Sequence, residues 1–105
     1  MSVLQNVTYG LNFRGYSRAE AKEKGRRYLS LVGLAEREDA RIGELSGGQQ
    51  RRVAFAGVLA MEPEVLVLDE PMAGLDPAAR RDFLELIDRL HRDGLTVVMV
   101  SHSMD

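Results

Sequence analysis

The sequence predicts an α/β fold, with helices in the first part of the chain and a parallel strand–helix–strand unit in the second. Up to about residue 43 the pattern is polar and helical, with apolar residues recurring on one face. From residue 45 onward, glycines, continuous apolar runs and paired acidic residues take over. Short continuous apolar runs are typical of strands covered on both faces, as in a parallel sheet.

Two helices are predicted before residue 45. The first covers residues 3–13 and ends near Gly15. The second begins at Ser17, which stands three residues before Glu20 and so forms a capping box with it. Gly33 is suited to end this helix because glycine readily adopts the left-handed conformation. The apolar face of the second helix carries Tyr28, Leu29 and Val32.

A third helix is predicted after the polar connector of residues 35–44. Ser46 and Gln49 have the spacing of another capping box, which marks its first turn. Residues 53–61 are nearly all apolar, so we expect this helix to be buried on most sides. Pro63 then stops the helix, because proline has no N–H to donate and clashes with the preceding turn.

The second part of the chain predicts two strands, at residues 65–68 and 96–100, with a helix between them. Asp76 and Pro77 are an N-cap and a proline at the first helical position, and Gly94 ends the helix. Strand, helix and strand in this order form a βαβ unit with a right-handed crossover, whose functional loops lie at the carboxyl ends of the strands. The inward residues of the helix are Phe83, Ile87 and Leu90.

Composition excludes several classes of protein. The formal net charge of −2 marks no nucleic-acid-binding surface, so no nucleic-acid partner is expected. The sequence has no cysteine, which excludes a disulfide framework and a thiolate metal site. No apolar run approaches the roughly 18 residues of a membrane span, and the first residues lack the pattern of a signal peptide. We therefore expect any membrane connection to come through a partner.

Four short motifs follow one another in a fixed order: LSGGQ at residues 45–49, VLVLDEP at 65–71, AGLD at 73–76 and SH at 101–102. Together they resemble the motifs of the ABC ATPases, a P-loop NTPase-like family. The resemblance implies a partial helical subdomain over residues 1–45. It implies the signature helix and the C-terminal part of the ATPase core over residues 46–105. Residues 54–63 are most similar to ATPases of energy-coupling-factor importers for vitamins and metal ions.

The first motif, residues 45–49, is called the signature loop below. Its two glycines leave the backbone bare at a helix N-terminus, where unpaired N–H groups and the helix dipole favour an anion. From the residues alone, a capped helix with a flexible lead-in is the other interpretation. The resemblance implies that Ser46, Gly47, Gly48 and Gln49 bind the γ-phosphate of a nucleotide held by the opposite subunit. In that reading Ser46 donates its hydroxyl and Gly48 its backbone N–H.

Asp69 and Glu70 are adjacent carboxylates at the end of a predicted strand. They repel each other unless a cation or a proton shares the site, although surface acids on a loop are the simpler alternative. The resemblance implies that Asp69 holds Mg²⁺ through water, as magnesium keeps much of its hydration. It implies that Glu70 is the catalytic base that orients and polarises the attacking water.

Two further residues gain a role only through the resemblance. Asp76 is explained structurally as an N-cap, and the family places this aspartate at the dimer interface. His102 follows the second predicted strand and matches the switch histidine, which contacts the γ-phosphate during catalysis. His91 is interpreted as a surface residue. Met72 departs from the threonine or serine common after the Glu-Pro pair, and we expect its side chain to lie beside the active site.

The sequence contains no G-x-x-x-x-G-K-[ST] motif, the Walker A loop that holds the phosphates of ATP. We therefore expect the chain to be the C-terminal part of a longer domain and to be inactive alone. We also expect its two-stranded sheet to be left open, with low solubility, loose packing or self-association.

The resemblance implies a subunit that hydrolyses ATP with Mg²⁺ to power import across a membrane. Its implied partners are transmembrane transporter subunits and a second ABC ATPase in a homo- or heterodimer, at the cytoplasmic, inner face of the cell membrane. An alternative is a non-enzymatic module that docks on a transporter subunit or a complementary half. DNA-repair and chromosome-organising ATPases are a third interpretation, which the lack of any heptad run disfavours.

Overall fold

The computed structural model describes residues 1–101 and divides into two compact units, Met1–Glu62 and the part from Pro63 onward. The predicted α/β class is confirmed. The first unit is helical, with a 3₁₀ turn (Tyr9–Phe13) directly after its first helix. Its helices are α1 (Val3–Thr8), α2 (Arg18–Leu31) and α3 (Gly47–Ala60), and the second unit contains β1 (Val65–Asp69), α4 (Pro77–Arg92) and β2 (Thr96–Val100).

The core of the first unit lies where α1, α2 and α3 pack against one another. Its four largest fully buried side chains are aliphatic and come from α1, the 3₁₀ turn and α2. Removing these groups from water supplies the main driving force for assembling the three helices. The four residues are Val3, Val7, Leu11 and Leu29.

Gly25 is the point of closest approach between α1 and α2. A Cβ atom built on Gly25 would lie 2.6 Å from Thr8 Cγ2 and 3.0 Å from Leu4 Cδ1. Both distances are shorter than the optimal separation of two non-bonded carbon atoms, which is about 3.5–4.0 Å. A glycine in the middle of α2 is therefore required by packing.

The predicted boundaries of α2 are confirmed. The Ser17 hydroxyl accepts a hydrogen bond from the Glu20 N–H, and the Ser17 N–H donates to the Glu20 carboxylate, both at 3.1 Å. At the other end Gly33 has a φ of 78°, and the Leu34 N–H donates to the Leu29 carbonyl at 2.9 Å. This is the Schellman arrangement that a glycine after a helix predicts.

Helix α1 begins with a third capping box, which sequence reasoning missed although Ser2 and Gln5 have the required spacing. The Ser2 hydroxyl accepts from the Gln5 N–H at 3.1 Å, and the Gln5 side chain accepts from the Ser2 N–H at 2.8 Å. The connector after α2 completes this helix start, because the carbonyls of Ala40 and Glu38 accept from the first two N–H groups of α1.

The expectation that α3 is buried on most sides is wrong for this chain. Val53, Ala56 and Leu59 are buried, but Ala54 is exposed and Val58 is 47% exposed. The reason is that the elements packed against α3, namely α1, α2 and the 3₁₀ turn, leave Ala54 and Val58 uncovered.

The division of the chain into compact units does not test the predicted boundary between subdomains at residues 45 and 46, which stays a prediction. Helix α3 carries the signature loop at its start, yet it packs on α1 and α2 and so belongs to the first unit. The division between the units falls at Glu62 and Pro63.

The second unit is the predicted βαβ arrangement, with β1 and β2 paired in parallel from Val65 opposite Thr96 to Asp69 opposite Val100. Helix α4 buries Ile87 and Leu90, leaves Phe83 half-buried, and ends at Gly94, whose φ is 100°. The sheet is open as expected: in β1 Leu66 is buried, but Val67 is 63% exposed. Within residues 1–101, no helix has the length and apolar character needed to cross a bilayer.

Candidate functional site

The predicted Mg²⁺ ligand, Asp69, and the predicted catalytic base, Glu70, lie in direct succession at the carboxyl end of β1. Asp69 is the last residue of the strand, opposite Val100 of β2, and it is exposed. Glu70 follows it and is half-buried. A parallel sheet gathers functional groups at this edge, so these two side chains stand where a βαβ unit normally binds its ligand.

The backbone of Glu70 adopts an uncommon conformation. Its φ is 49°, in the left-handed region of backbone conformation that residues other than glycine and asparagine rarely adopt. The conformation is held from both sides, because the Glu70 N–H donates to the Val100 carbonyl at 2.8 Å and the Glu70 carbonyl accepts from the Ala73 N–H at 3.2 Å. Strain of this kind, maintained by surrounding hydrogen bonds, is typical of functional positions. No sequence signal predicted it, since the residue is a glutamate.

The segment after Glu70 turns back to start α4. The Leu75 N–H donates to the Met72 carbonyl at 3.2 Å, and Gly74 has a φ of 77°. Asp76 is the predicted N-cap: its carboxylate accepts from the Ala79 N–H at 2.8 Å. The aspartate is exposed, so one face of this cap remains open to a partner.

The signature loop leads into α3 through a complete capping box. The Ser46 hydroxyl accepts from the Gln49 N–H at 3.1 Å, and the Ser46 N–H donates to the Gln49 side chain at 3.0 Å. The hydrogen of the Ser46 hydroxyl is not used in this bond and can be donated to a ligand. Leu45 is buried and anchors the loop, whereas Ser46, Gly47 and Gly48 are exposed.

The two glycines of the signature loop are not required by the packing of the described chain. A Cβ atom built on Gly47 or on Gly48 meets nothing within 4 Å, and neither residue has a positive φ. Both lie in the first turn of α3, where alanine would fit without a clash and would cost less conformational entropy on folding than glycine. Among residues 1–101 no partner accepts from their N–H groups, which leaves two donors at the start of the helix dipole.

Gln50 lies directly after the signature loop, in α3, and nothing in the sequence indicated its role. Its side-chain Nε2 donates to the Ile42 carbonyl at 3.1 Å and to the Leu45 carbonyl at 3.3 Å. A glutamine on an exposed helix turn gives no signal of such a role, because these bonds reach back across the connector.

The predicted site residues therefore fall into two groups, one in each unit. Ser46, Gly47, Gly48 and Gln49 begin α3, and Asp69, Glu70 and Asp76 surround the end of β1 and the start of α4. The prediction for His102 lies outside the described residues. His91, interpreted as a surface residue, is exposed on α4.

Comparisons with known proteins show which family the chain resembles. A family model described as "AAA domain, putative AbiEii toxin, Type IV TA system" matches residues 5–105. The chain is 55% identical over 107 residues to the energy-coupling factor transporter ATP-binding protein EcfA2 of Bacillus licheniformis. It is 49% identical over 105 residues to the protein of the same name from Streptococcus thermophilus. The alignments cover 99% of this chain but 37% and 38% of those relatives.

The chain is also similar in structure to ATP-binding subunits of ABC transporters. The chain superposes on cbiO1 from Clostridium perfringens, described as part of the ABC transporter complex cbiONQ, with a TM-score of 0.87 and 37% identity. That match covers 99% of this chain and 42% of cbiO1. The ADP conformation of MJ1267, an ATP-binding cassette of an ABC transporter, matches with a TM-score of 0.82 and 30% identity over 100% of this chain and 46% of that one. The chain therefore belongs to the AAA-domain family of that model, and it is similar to ATP-binding subunits of ABC transporters.

Proposed function

We propose that the chain supplies a phosphate-binding loop and the hydrolytic carboxylates of an ATP-hydrolysing subunit in an energy-coupling-factor importer. One observation carries the proposal: Asp69 and Glu70 stand in direct succession at the carboxyl end of β1, and the Glu70 backbone is bonded to β2. The chain spans less than two fifths of the curated relatives it matches, so the activity is assigned to the longer polypeptide.

Glu70 is the general base in this proposal. Its carboxylate accepts a proton from the attacking water and orients that water toward the γ-phosphorus of ATP. A base contributes to the rate only when it is held in place, and the two backbone hydrogen bonds of Glu70 provide that constraint.

Asp69 would hold Mg²⁺, either directly or through water. The residues present fit this ion, since carboxylate oxygens are hard donors of the kind that magnesium prefers. Magnesium is usually held by one or two carboxylates together with water and substrate phosphates, and the exposed Asp69 offers one such carboxylate. When bound, magnesium neutralises charge that develops on the phosphates, and it also relieves the repulsion between Asp69 and Glu70.

The signature loop would bind the γ-phosphate of a nucleotide held by the opposite subunit of a dimer. Gly47 and Gly48 support this role, because glycine at both positions weakens α3 and the chain's own packing offers no compensation. Bare N–H groups allow a phosphate to approach the backbone, and Ser46 can donate its hydroxyl hydrogen. Arg51 and Arg52, one turn further on, add positive charge.

Asp76 and His102 complete the proposed site. Asp76 is exposed while it caps α4, so it can contact a second ATPase subunit without losing its structural role. His102 is proposed as the switch histidine that contacts the γ-phosphate, from its position directly after the Ser101 that follows β2.

The first unit would dock on a transmembrane subunit. Tyr9 and Phe13 are 55% and 75% exposed and form an edge-to-face pair with ring centroids 5.3 Å apart. Exposed aromatic pairs of this kind are typical anchors of protein interfaces. The same pair favours the second candidate function, a non-enzymatic module that docks on a transporter subunit.

The test separates these two functions in a polypeptide of the relatives' length that carries this segment. Glu70→Gln should lower the ATP hydrolysis rate by at least about 100-fold, because the amide cannot act as a base, and should preserve ATP binding. Asp69→Asn should instead weaken the binding of ATP that depends on Mg²⁺. The matched control is Glu64→Gln, an exposed carboxylate just before β1. Turnover of Glu70→Gln near the rate of the parent would exclude the proposed role of Glu70, whereas a parent polypeptide that does not hydrolyse ATP would favour the docking module.

The chain by itself should bind ATP with a dissociation constant no better than about 1 mM and should not hydrolyse it. The physical reason is that the few donors of the signature loop contact only one phosphate, and this sequence holds no Walker A loop for the others. Titration calorimetry with Mg-ATP measures this directly. A micromolar dissociation constant would contradict the assignment of the nucleotide to the opposite subunit.

A further inference from the structure

Gln50 connects three parts of the signature region. Its backbone N–H donates to the Ser46 carbonyl at 2.9 Å as the first bond of α3. Its side-chain Nε2 donates to the Ile42 carbonyl at 3.1 Å and to the Leu45 carbonyl at 3.3 Å. Gln50 is exposed, so its side chain does not reach back over the connector in order to be removed from water.

These bonds fix one particular peptide plane, the one that joins Leu45 to Ser46. The carbonyl of this peptide accepts from Gln50, and its N–H donates to the side chain of Gln49 at 3.0 Å. The plane is therefore held at both ends by two successive glutamines. Because the Cα of Ser46 is attached to this plane, the two bonds set the direction in which the Ser46 side chain leaves the backbone.

The residues around Ser46 make such a constraint necessary. Gly43, three residues before it, and Gly47 and Gly48, directly after it, leave the backbone freer than any other residue type would. Among residues 41–50, which include the signature loop, only Leu45 is buried. A hydroxyl that has to meet a phosphate needs its position held to a fraction of an ångström, since a displacement of 1 Å can lower a rate by about 100-fold.

We propose that Gln50 is a positioning residue for ATP hydrolysis, which acts by orienting the Leu45–Ser46 peptide and through it the Ser46 hydroxyl. The inference rests on the proposed function of the signature loop. Gln50 does not contact the nucleotide in this account. Its effect is exerted on the rate of the step in which Ser46 engages the phosphate, so it should alter kcat more than KM.

The experiment measures kcat and KM for ATP in a polypeptide of the relatives' length that carries this segment. Gln50→Glu keeps the shape of the side chain but sets a carboxylate oxygen against two carbonyl oxygens. We expect a fall in kcat of about tenfold, a change in KM of less than about twofold, and an unchanged melting temperature. Gln50→Lys restores a donor within reach of both carbonyls and should recover most of the lost kcat.

A double variant tests whether Gln50 acts through Ser46. If it does, Ser46→Ala with Gln50→Glu should be no slower than Ser46→Ala alone, because effects of residues that act as one unit are not additive. Additive losses, a rise in KM at constant kcat, or equal losses for Gln50→Lys and Gln50→Glu would overturn the inference. So would a kcat for Gln50→Glu within twofold of the parent.

The Glu70→Gln variant of the same polypeptide distinguishes this failure from a failure of the proposed function. Turnover that survives Glu70→Gln removes the proposed function and the inference with it. Turnover that is lost in Glu70→Gln but unchanged in Gln50→Glu removes the inference alone.

Discussion

Replacing Gly25 by alanine should destabilise the first unit, although the same change stabilises most helices. The new methyl group would lie 2.6 Å from Thr8 Cγ2 and 3.0 Å from Leu4 Cδ1, so α1 and α2 must move apart by about 1 Å to reach ordinary contact. Thr8 cannot simply rotate away, because it is buried and its hydroxyl donates to the Gln5 carbonyl. Overpacking of this kind costs about 1–3 kcal/mol.

The helix itself gains from the substitution, and the balance sets the magnitude. Alanine is favoured over glycine in a helix interior by about 1 kcal/mol. If overpacking costs about 2–3 kcal/mol, the upper part of its usual range, the free energy of unfolding falls by a net value of roughly 1–2 kcal/mol. For a unit of this size, such a loss lowers the melting temperature by about 5–15 °C. Thermal unfolding followed by far-UV circular dichroism measures the change.

Gly57 provides a matched control within the same unit. It lies in α3, and a Cβ atom built there would be 3.8 Å from the Asn6 carbonyl oxygen and from Val7 Cα, which is ordinary contact. Gly57→Ala should therefore raise the melting temperature by a few degrees, as expected for up to about 1 kcal/mol. One substitution at two positions should thus give shifts of opposite sign.

A second variant identifies the cause of the loss. Thr8→Ser removes the Cγ2 methyl but keeps the hydroxyl, so it should recover part of the stability lost in Gly25→Ala. A melting temperature that rises in Gly25→Ala, or that falls equally in Gly25→Ala and Gly57→Ala, would refute the packing argument.

Two further predictions concern charge and exposed apolar surface. Hydrogen bonds from Ser17, first through its side chain and then through its backbone, lower the pKa of Glu20. A lowered pKa gives stability that is present above the unfolded value of about 4.3 and is lost as the pH falls through the folded value. The advantage in melting temperature of the parent over Glu20→Gln should therefore shrink between pH 6 and pH 3, and an unchanged difference would count against the capping box. The second prediction is that the chain self-associates through its open sheet, because Val67 is 63% exposed and pairs with the exposed Val98. Val67→Lys should lower the light scattering of the purified chain more than Leu84→Lys on α4, and a monodisperse parent chain would contradict this.

The elements of the fold were predictable because each has a local signal. Serine three residues before glutamate or glutamine marked the starts of α2 and α3, and glycine marked the ends of α2 and α4. Burial was less predictable, because it depends on what packs against an element. The apolar run of α3 gave no indication that Val58 would be 47% exposed, since its composition is the same whether one or two faces are covered.

The positions of the candidate site residues were predictable from motifs, but the backbone conformation and hydrogen bonds that hold them were not. Asp69, Ser46 and Asp76 occupy the strand end and the helix caps that their spacing indicated. The left-handed backbone of Glu70 and the reach of Gln50 depend on bonds to distant carbonyls. Such bonds are set by the tertiary structure, so no short sequence pattern reveals them.

Three of the positions assigned to function, Gly47, Gly48 and Glu70, depart from what the fold of this chain requires. Gly25 has a packing reason and Gly33 has a positive φ, whereas Gly47 and Gly48 have neither. Glu70 adopts a backbone conformation for which glycine would be less strained, yet it carries a carboxylate. Natural sequences are locally consistent with their folds except where function imposes a cost. The glycine pair at the start of α3 therefore supports the proposal that an anion approaches the backbone there, because bare N–H groups at a helix N-terminus favour one.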